Sequence, residues 1–205
     1  MPQQKNAAGT DEDNGLDPGF FARPAESVAR ELIGATLSYD GTGGMIVETE
    51  AYHPGDPASH SFRGQTLRNA AMFGPPGTAY VYRIYGMHWC LNFVCTPGSA
   101  VLIRAIEPLT GLDLMTERRQ GLAPRLLASG PGRLCAALGI TRADDGLSLF
   151  EPPFGLLANS ENRAILTGPR IGITKAIDEQ LRFGLEGSPF LSRRFDMAQA
   201  PASPS

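Results

Sequence analysis

Two β-prone runs, Ala79–Tyr85 and Trp89–Thr96, are separated by a short turn that contains Gly86. This is a hairpin signal, and it constrains everything around it. A lone hairpin is marginal in water and needs further strands or helices to bury its apolar face. Met45–Tyr52 and Ala100–Glu107 supply two more strands, the second ended by Pro108. In Met45–Tyr52 a period of two puts Ile46, Glu48, Glu50 and Tyr52 on one face. In the hairpin, Tyr80, Tyr82 and Ile84 face one way, and Val81, Arg83 and Tyr85 the other. On the return strand Cys90, Asn92 and Val94 share a face.

Helices frame this centre. Pro24–Ala35 starts with proline, repeats Val28, Leu32 and Ile33 at helical spacing, and has Gly34 near its end. Thr110–Arg119 reads as a helix capped by Thr110, and Gly130-Pro131-Gly132 opens another with Leu134, Cys135 and Leu138 as its buried stripe. Arg170–Ile173 and Leu181–Leu185 are two later strands. Residues 53–70 hold Pro, Gly, Asp, Ser and His and form a long loop of the kind that carries function. Residues 1–16 and 196–205 are expected to be disordered tails, with residues 17–195 between them as one domain. No internal repeat or linker divides the chain. Central strands with helices before and after predict a single α+β (mixed α/β) domain around a mostly antiparallel sheet.

The net charge of −3 conceals an uneven distribution. Residues 1–60 carry 10 acids and 3 bases, residues 134–205 carry 8 acids and 7 bases, and residues 61–133 carry 3 acids and 8 arginines. The middle third could therefore face an anion. Cys90, Cys95 and Cys135 form no C-x-x-C pair, which points to a reducing, cytoplasmic compartment without disulfides. No apolar run approaches the ~20 residues of a membrane span, and the polar N-terminus predicts no secretion signal. His53, His60 and His88 lack metal-ligand spacing, so neither a metal nor another cofactor is expected.

Four of the five tyrosines, the one tryptophan and two glutamates fall between Glu48 and Asn92. A carboxylate against aromatic surface is a candidate general base. Glu48, Glu50 and Tyr52 share a strand face, so at least one of the two acids fits that description. Arg104 interrupts the apolar strand Val101–Ile106 and must find either a glutamate or a phosphate. Ser129-Gly130-Pro131-Gly132-Arg133 offers backbone amides and an arginine to a phosphate at a helix start.

Ile46–Tyr52, Gln65–Asn69, Met72-Phe73, Pro76–Met87, Leu91-Asn92, Val101–Pro108, Ser129–Pro131 with Leu134-Cys135, Arg170–Ile173, and Leu181–Phe183 with Gly187–Pro189 follow one another in the chain. In that order these segments resemble the alkyladenine (3-methyladenine) DNA glycosylase family. The resemblance runs from about Pro24 to Ser192. It implies a curved sheet with a protruding hairpin that inserts into DNA. By that resemblance Tyr85, with Met87 beside it, enters the minor groove and fills the gap left by a flipped-out nucleotide. Tyr52 on one side and His60 with Tyr82 on the other hold the base. Glu50 deprotonates the attacking water, Arg104 lies near that water and the phosphate, and Asn92 screens the base edge. Thr66, Arg68, Gly132 and Arg133 match backbone-contacting positions.

The expected partner is double-stranded DNA bearing damaged purines such as 3-methyladenine, 7-methylguanine, hypoxanthine or ethenoadenine, and the expected state is a monomer that leaves the DNA-facing hairpin free. Lysine occurs only at positions 5 and 175, so no obvious amine is available for a Schiff base, and a monofunctional enzyme that leaves an abasic site uncut is expected. The competing reading is an aromatic cage or nucleic-acid-binding module without chemistry. A cage needs neither a water base nor a phosphate-facing arginine, so Glu50, Asn92 and Arg104 together distinguish the two.

Overall fold

The computed structural model describes residues 16–195. The two expected tails lie outside the described residues, apart from Leu16, which packs against the core. In chain order the elements are α1 Pro18–Phe21, α2 Ala25–Glu31, β1 Thr36–Tyr39, β2 Thr42–Tyr52, β3 Ala79–Ile84, β4 His88–Val94, β5 Ala100–Thr110, α3 Leu112–Arg118, α4 Pro124–Leu127, α5 Pro131–Leu138, β6 Phe154–Leu157, β7 Ile165–Gly168 and β8 Arg182–Leu185.

These eight strands form one sheet, and every pairing between them is antiparallel. The path is β3-β4-β5-β2-β1-β6, with β8 beside β2 and β7 beside β8. β2 is the spine. One edge pairs with β5 from Gly43 to Tyr52; the other pairs with β1 at Thr42–Met45 and with β8 at Glu48–Glu50. Register shifts in the β2–β5 ladder near Glu48 are bulges that bend the sheet.

The main core lies under α2 and α5. Val28 from the first, with Leu32 and Ile33 just past its end, and Leu134, Cys135 and Leu138 from the second, meet Ile46, Leu91, Phe93, Ile103 and Ile106. Each large side chain buried here contributes roughly 1.5–3 kcal/mol. Alternation along β3 sends Val81 into this core and Tyr80 to the opposite face. There Met72, Tyr80, Val94 and Ala100 form a smaller cluster that backs Tyr52 and Tyr82.

Several sequence expectations are corrected. β5 runs through Pro108 to Thr110. β4 has already parted from β5 by then, pairing only at Ala100–Leu102, so a missing N–H costs little at a half-open edge. Thr110 is thus a strand residue rather than a cap, and α3 follows Gly111 in the left-handed region (φ 70°). Arg170–Ile173 is loop, not strand. The helix expected over Pro24–Ala35 stops at Glu31, because Gly34 N–H already bonds the Ile46 carbonyl and draws the chain into the sheet. Ile46 belongs to the core with Val47, since the register shift between Ile46 and Glu48 interrupts the alternation.

Candidate active site

A cavity of about 680 Å³ opens at the base of the β3–β4 hairpin. It gathers Glu50, Tyr52, His60, Tyr82, Asn92 and Arg104 from five separate stretches of chain.

Glu50 is 0% exposed. Its Oε1 accepts the Ile171 N–H at 2.8 Å and lies 3.1 Å from Arg104 Nη1, while Oε2 accepts the Tyr52 hydroxyl at 2.9 Å. Arg104 has found glutamates: its Nε donates to Glu48 Oε1 at 3.0 Å. Glu48, also 0% exposed, accepts in addition from Arg182 Nε at 2.8 Å, Ser192 Oγ at 2.8 Å and the Ser192 N–H at 2.5 Å. Every one of its bonds goes to the protein. Glu48 therefore anchors Arg104 and the C-terminal segment to β2.

The aromatic side is as ordered. Tyr80 and Tyr82 stack with centroids 5.5 Å apart. The His60 ring meets Tyr82 edge-on at 4.5 Å, and its Nδ1 is 2.9 Å from the Tyr80 hydroxyl. Burial, then the charge of Glu50, raises the Tyr52 pKa; burial, then Asp145, pushes Tyr80 up to about 12; burial raises Tyr82 well above its ordinary value. All three remain neutral phenols near pH 7. Burial and Arg68 lower the pKa of His60, so a neutral imidazole is favoured. Burial pushes the Cys90 thiol up to about 11, which leaves it protonated and a poor nucleophile. Asn92 is fixed by donating its amide to the Tyr80 carbonyl at 3.0 Å.

At the hairpin tip Tyr85 (φ 51°) and Gly86 (φ 68°) both adopt left-handed backbone, and Met87 N–H closes the turn on the Ile84 carbonyl at 3.2 Å. Left-handed backbone is unfavourable for a tyrosine and tends to persist where function demands it. Tyr85 is 78% exposed and Met87 67%. Gly132, at the start of α5, abuts the tip end of the hairpin: a Cβ there would come within 2.9 Å of His88 Cβ. Only glycine permits that approach.

A methylpurine-DNA glycosylase family model matches residues 19–189. The chain belongs to the methylpurine-DNA glycosylase family. Membership makes it a DNA glycosylase, a hydrolase of N-glycosyl bonds. Three relatives, each provisionally named a 3-methyladenine DNA glycosylase, are similar over nearly their whole length. The Agrobacterium fabrum protein is 61% identical over 88% of this chain and 93% of its own. The Nitrosospira multiformis protein is 61% identical over 85% and 92%, and that of Rhizobium meliloti 60% identical over 87% and 97%.

Of the remaining positions singled out in this glycosylase sequence, Arg68, Tyr85 and Gly132 line the cavity, whereas Met87, Thr66 and Arg133 do not. Thr66 is tied into the loop, its N–H and hydroxyl both donating to Asn69 Oδ1. Exposed Arg133 turns back on Ser129. Sequence reasoning missed Ile171, which acts through a backbone N–H and so leaves no side-chain signal. It also missed the cavity's exposed basic lining of Arg83, Lys175 and Arg193, and with it the presence of an amine near the site. Among the described residues no group of three or more His, Cys, Asp or Glu could hold a metal, and no helix is long and apolar enough to cross a membrane.

Proposed function

We propose that this glycosylase receives damaged purines, swung out of duplex DNA, in the cavity between Tyr52 and the His60–Tyr82 pair, and that Glu50 activates the water that cuts them from the sugar. The observation that carries this reading is the buried Glu50 carboxylate beside aromatic walls, with an exposed tyrosine on the rim of the same cavity. A base inside the stack cannot be reached, so it must be extruded at a cost of a few kcal/mol. Tyr85 offsets that cost by filling the vacated space. Arg68, Arg83, Lys175 and Arg193 give the cavity a basic lining suited to the phosphate backbone.

N-alkylated purines such as 3-methyladenine and 7-methylguanine carry positive charge, and electron-rich ring faces attract it by roughly 0.5–2 kcal/mol per contact. The same charge weakens the glycosidic bond. Glu50 takes a proton from water, the oxygen bonds to C1′, and the C1′–N bond breaks with its electron pair retained by the base. Hypoxanthine and ethenoadenine are neutral alternatives that depend more on stacking. Glu50 is buried beside Tyr52 and Arg104; in this reading it activates water, no lysine forms a Schiff base, and the abasic site is left uncut.

The test is single-turnover release of an alkylated or deaminated base from duplex DNA, paired with a binding assay. Glu50→Gln should slow release by about 10²–10⁴-fold while binding survives. Borohydride should trap no covalent protein–DNA adduct. Release by Glu50→Gln at wild-type speed, or a trapped adduct that requires Lys175, would overturn this mechanism.

A further inference from the structure

Behind the Tyr52 wall lies a separate buried ion pair. The Arg170 side chain is 0% exposed and does not line the cavity, yet its guanidinium carbon sits 4.6 Å from the centre of the Tyr52 ring. Asp56, also 0% exposed, grips it with both carboxylate oxygens. Arg170 Nη1 further donates to the Ala51 carbonyl at 3.0 Å, and Nη2 to Glu179 Oε2 at 3.3 Å. Among the described residues its Nε has no hydrogen-bond partner.

Apart from Glu179, its attachments lead to the site. Ala51 and Tyr52 are the end of β2. Asp56 belongs to the loop that carries His60 four residues on, and it turns that loop by accepting the Ala58 N–H at 2.8 Å. The residue after Arg170 is Ile171, whose N–H holds Glu50 Oε1 at 2.8 Å. An apolar pair of equal volume would commonly serve stability as well as a buried ion pair, so stability alone does not account for this arrangement.

We infer that Arg170, clamped by Asp56, is a positioning residue of the base pocket: it braces Tyr52 from behind, ties that wall to the His60 loop, and aims the Ile171 N–H at Glu50. This rests on the glycosylase mechanism proposed above. Arg170 touches no substrate and acts through these three neighbours.

The test uses Asp56→Asn/Arg170→Gln, which removes both charges together, and Arg170→Lys, which keeps the charge and loses the flat fork. Base seating is read from the fluorescence of ethenoadenine in duplex DNA, in a Glu50→Gln background so that nothing is cut. Binding to a duplex with a tetrahydrofuran abasic site, which has no base to seat, is measured alongside. Single-turnover release is measured with Glu50 intact.

Seating and release should each fall by about 10-fold in the double variant, a loss the size of one cation–π and stacking contact. Arg170→Lys should show a smaller loss in the same sense, with abasic-site binding held within about 3-fold in both. Unchanged seating and release in either folded variant overturns the inference, and so does an equal loss of seating and abasic-site binding, which marks a purely structural pair. If the double variant does not fold, Arg170→Lys decides alone. The wild-type protein separates the two proposals. If it releases no damaged base, the mechanism fails; if it does, these readouts judge Arg170 only.

Discussion

Tyr52 donates its hydroxyl to Glu50 Oε2 at 2.9 Å, so the aromatic wall and the buried carboxylate are one unit. The two roles separate by substitution. Tyr52→Phe keeps the ring and removes the donor, and should slow single-turnover release by about 10-fold with lesion binding unchanged. Tyr52→Ala removes the stacking surface as well and should also weaken lesion binding by about 10-fold. If Tyr52→Phe loses binding as severely as Tyr52→Ala, the hydrogen bond rather than the ring holds the base.

Tyr85→Ala should slow excision from paired duplex more than from a mismatched or single-stranded lesion. The side chain is 78% exposed at the hairpin tip, so little fold stability depends on it. What is lost is the plug that offsets unstacking, and an already unstacked lesion needs it less. Equal losses on paired and unpaired substrates would remove Tyr85 from that role.

Asn92→Ser should relax the exclusion of guanine. The Asn92 amide is locked by its 3.0 Å bond to the Tyr80 carbonyl and lines the cavity. Guanine differs from adenine and hypoxanthine by an exocyclic N2 amine on the minor-groove edge, and a smaller side chain gives that amine room. Release of undamaged guanine relative to hypoxanthine should rise; an unchanged ratio would leave Asn92 a purely structural amide.

Acid should act through His60. Burial and Arg68 lower its pKa below the ordinary 6.5, so the folded protein favours the uncharged imidazole. The sign follows. The stability linked to His60 is present above pH 6.5 and is lost as pH falls from there through the lowered folded value. A protonated ring would also repel a cationic base. Release of 7-methylguanine relative to neutral hypoxanthine should hold constant down through pH 6.5 and fall only in more acid solution. In His60→Gln the ratio should be flat, and a persistent acid fall in that variant would assign the effect elsewhere.

The hairpin and the strands β2 and β5 were legible as β-prone runs bounded by turn residues; that β2 pairs with β5 was not, because partners about 50 positions apart leave no local mark. β1, β6 and β7, four residues each, are too short to show a period. The Glu50, Tyr52, Tyr82 and Asn92 cluster was legible through family resemblance. The Asp56–Arg170 clamp was not, because its members lie 114 positions apart and nothing local marks them as partners. Arg170–Ile173 looked like a strand because its apolar residues alternate. In the folded chain Arg170 turns inward to Asp56 and the Ile171 N–H is taken by a side chain, so no ladder forms.

Glu48 is the second carboxylate of β2, and its environment predicts a different failure from that of Glu50. It is 0% exposed and shares its oxygens among Arg104, Arg182 and both the N–H and hydroxyl of Ser192. Glu48→Gln keeps the shape but removes the negative charge that balances two buried guanidinium groups. Breaking such a buried pair costs about 3–5 kcal/mol, which corresponds to a Tm about 10 °C lower for a chain of this size. Glu50→Gln still leaves Arg104 its partner Glu48, so its Tm should fall less while its chemistry stops. The two variants should therefore separate in thermal melts and single-turnover assays run side by side. Glu48→Gln should be the less stable, yet active in proportion to the folded fraction at low temperature; Glu50→Gln should be folded and inactive. A Glu48→Gln protein that melts like wild type but releases no base would move the water-activating role two residues along the strand.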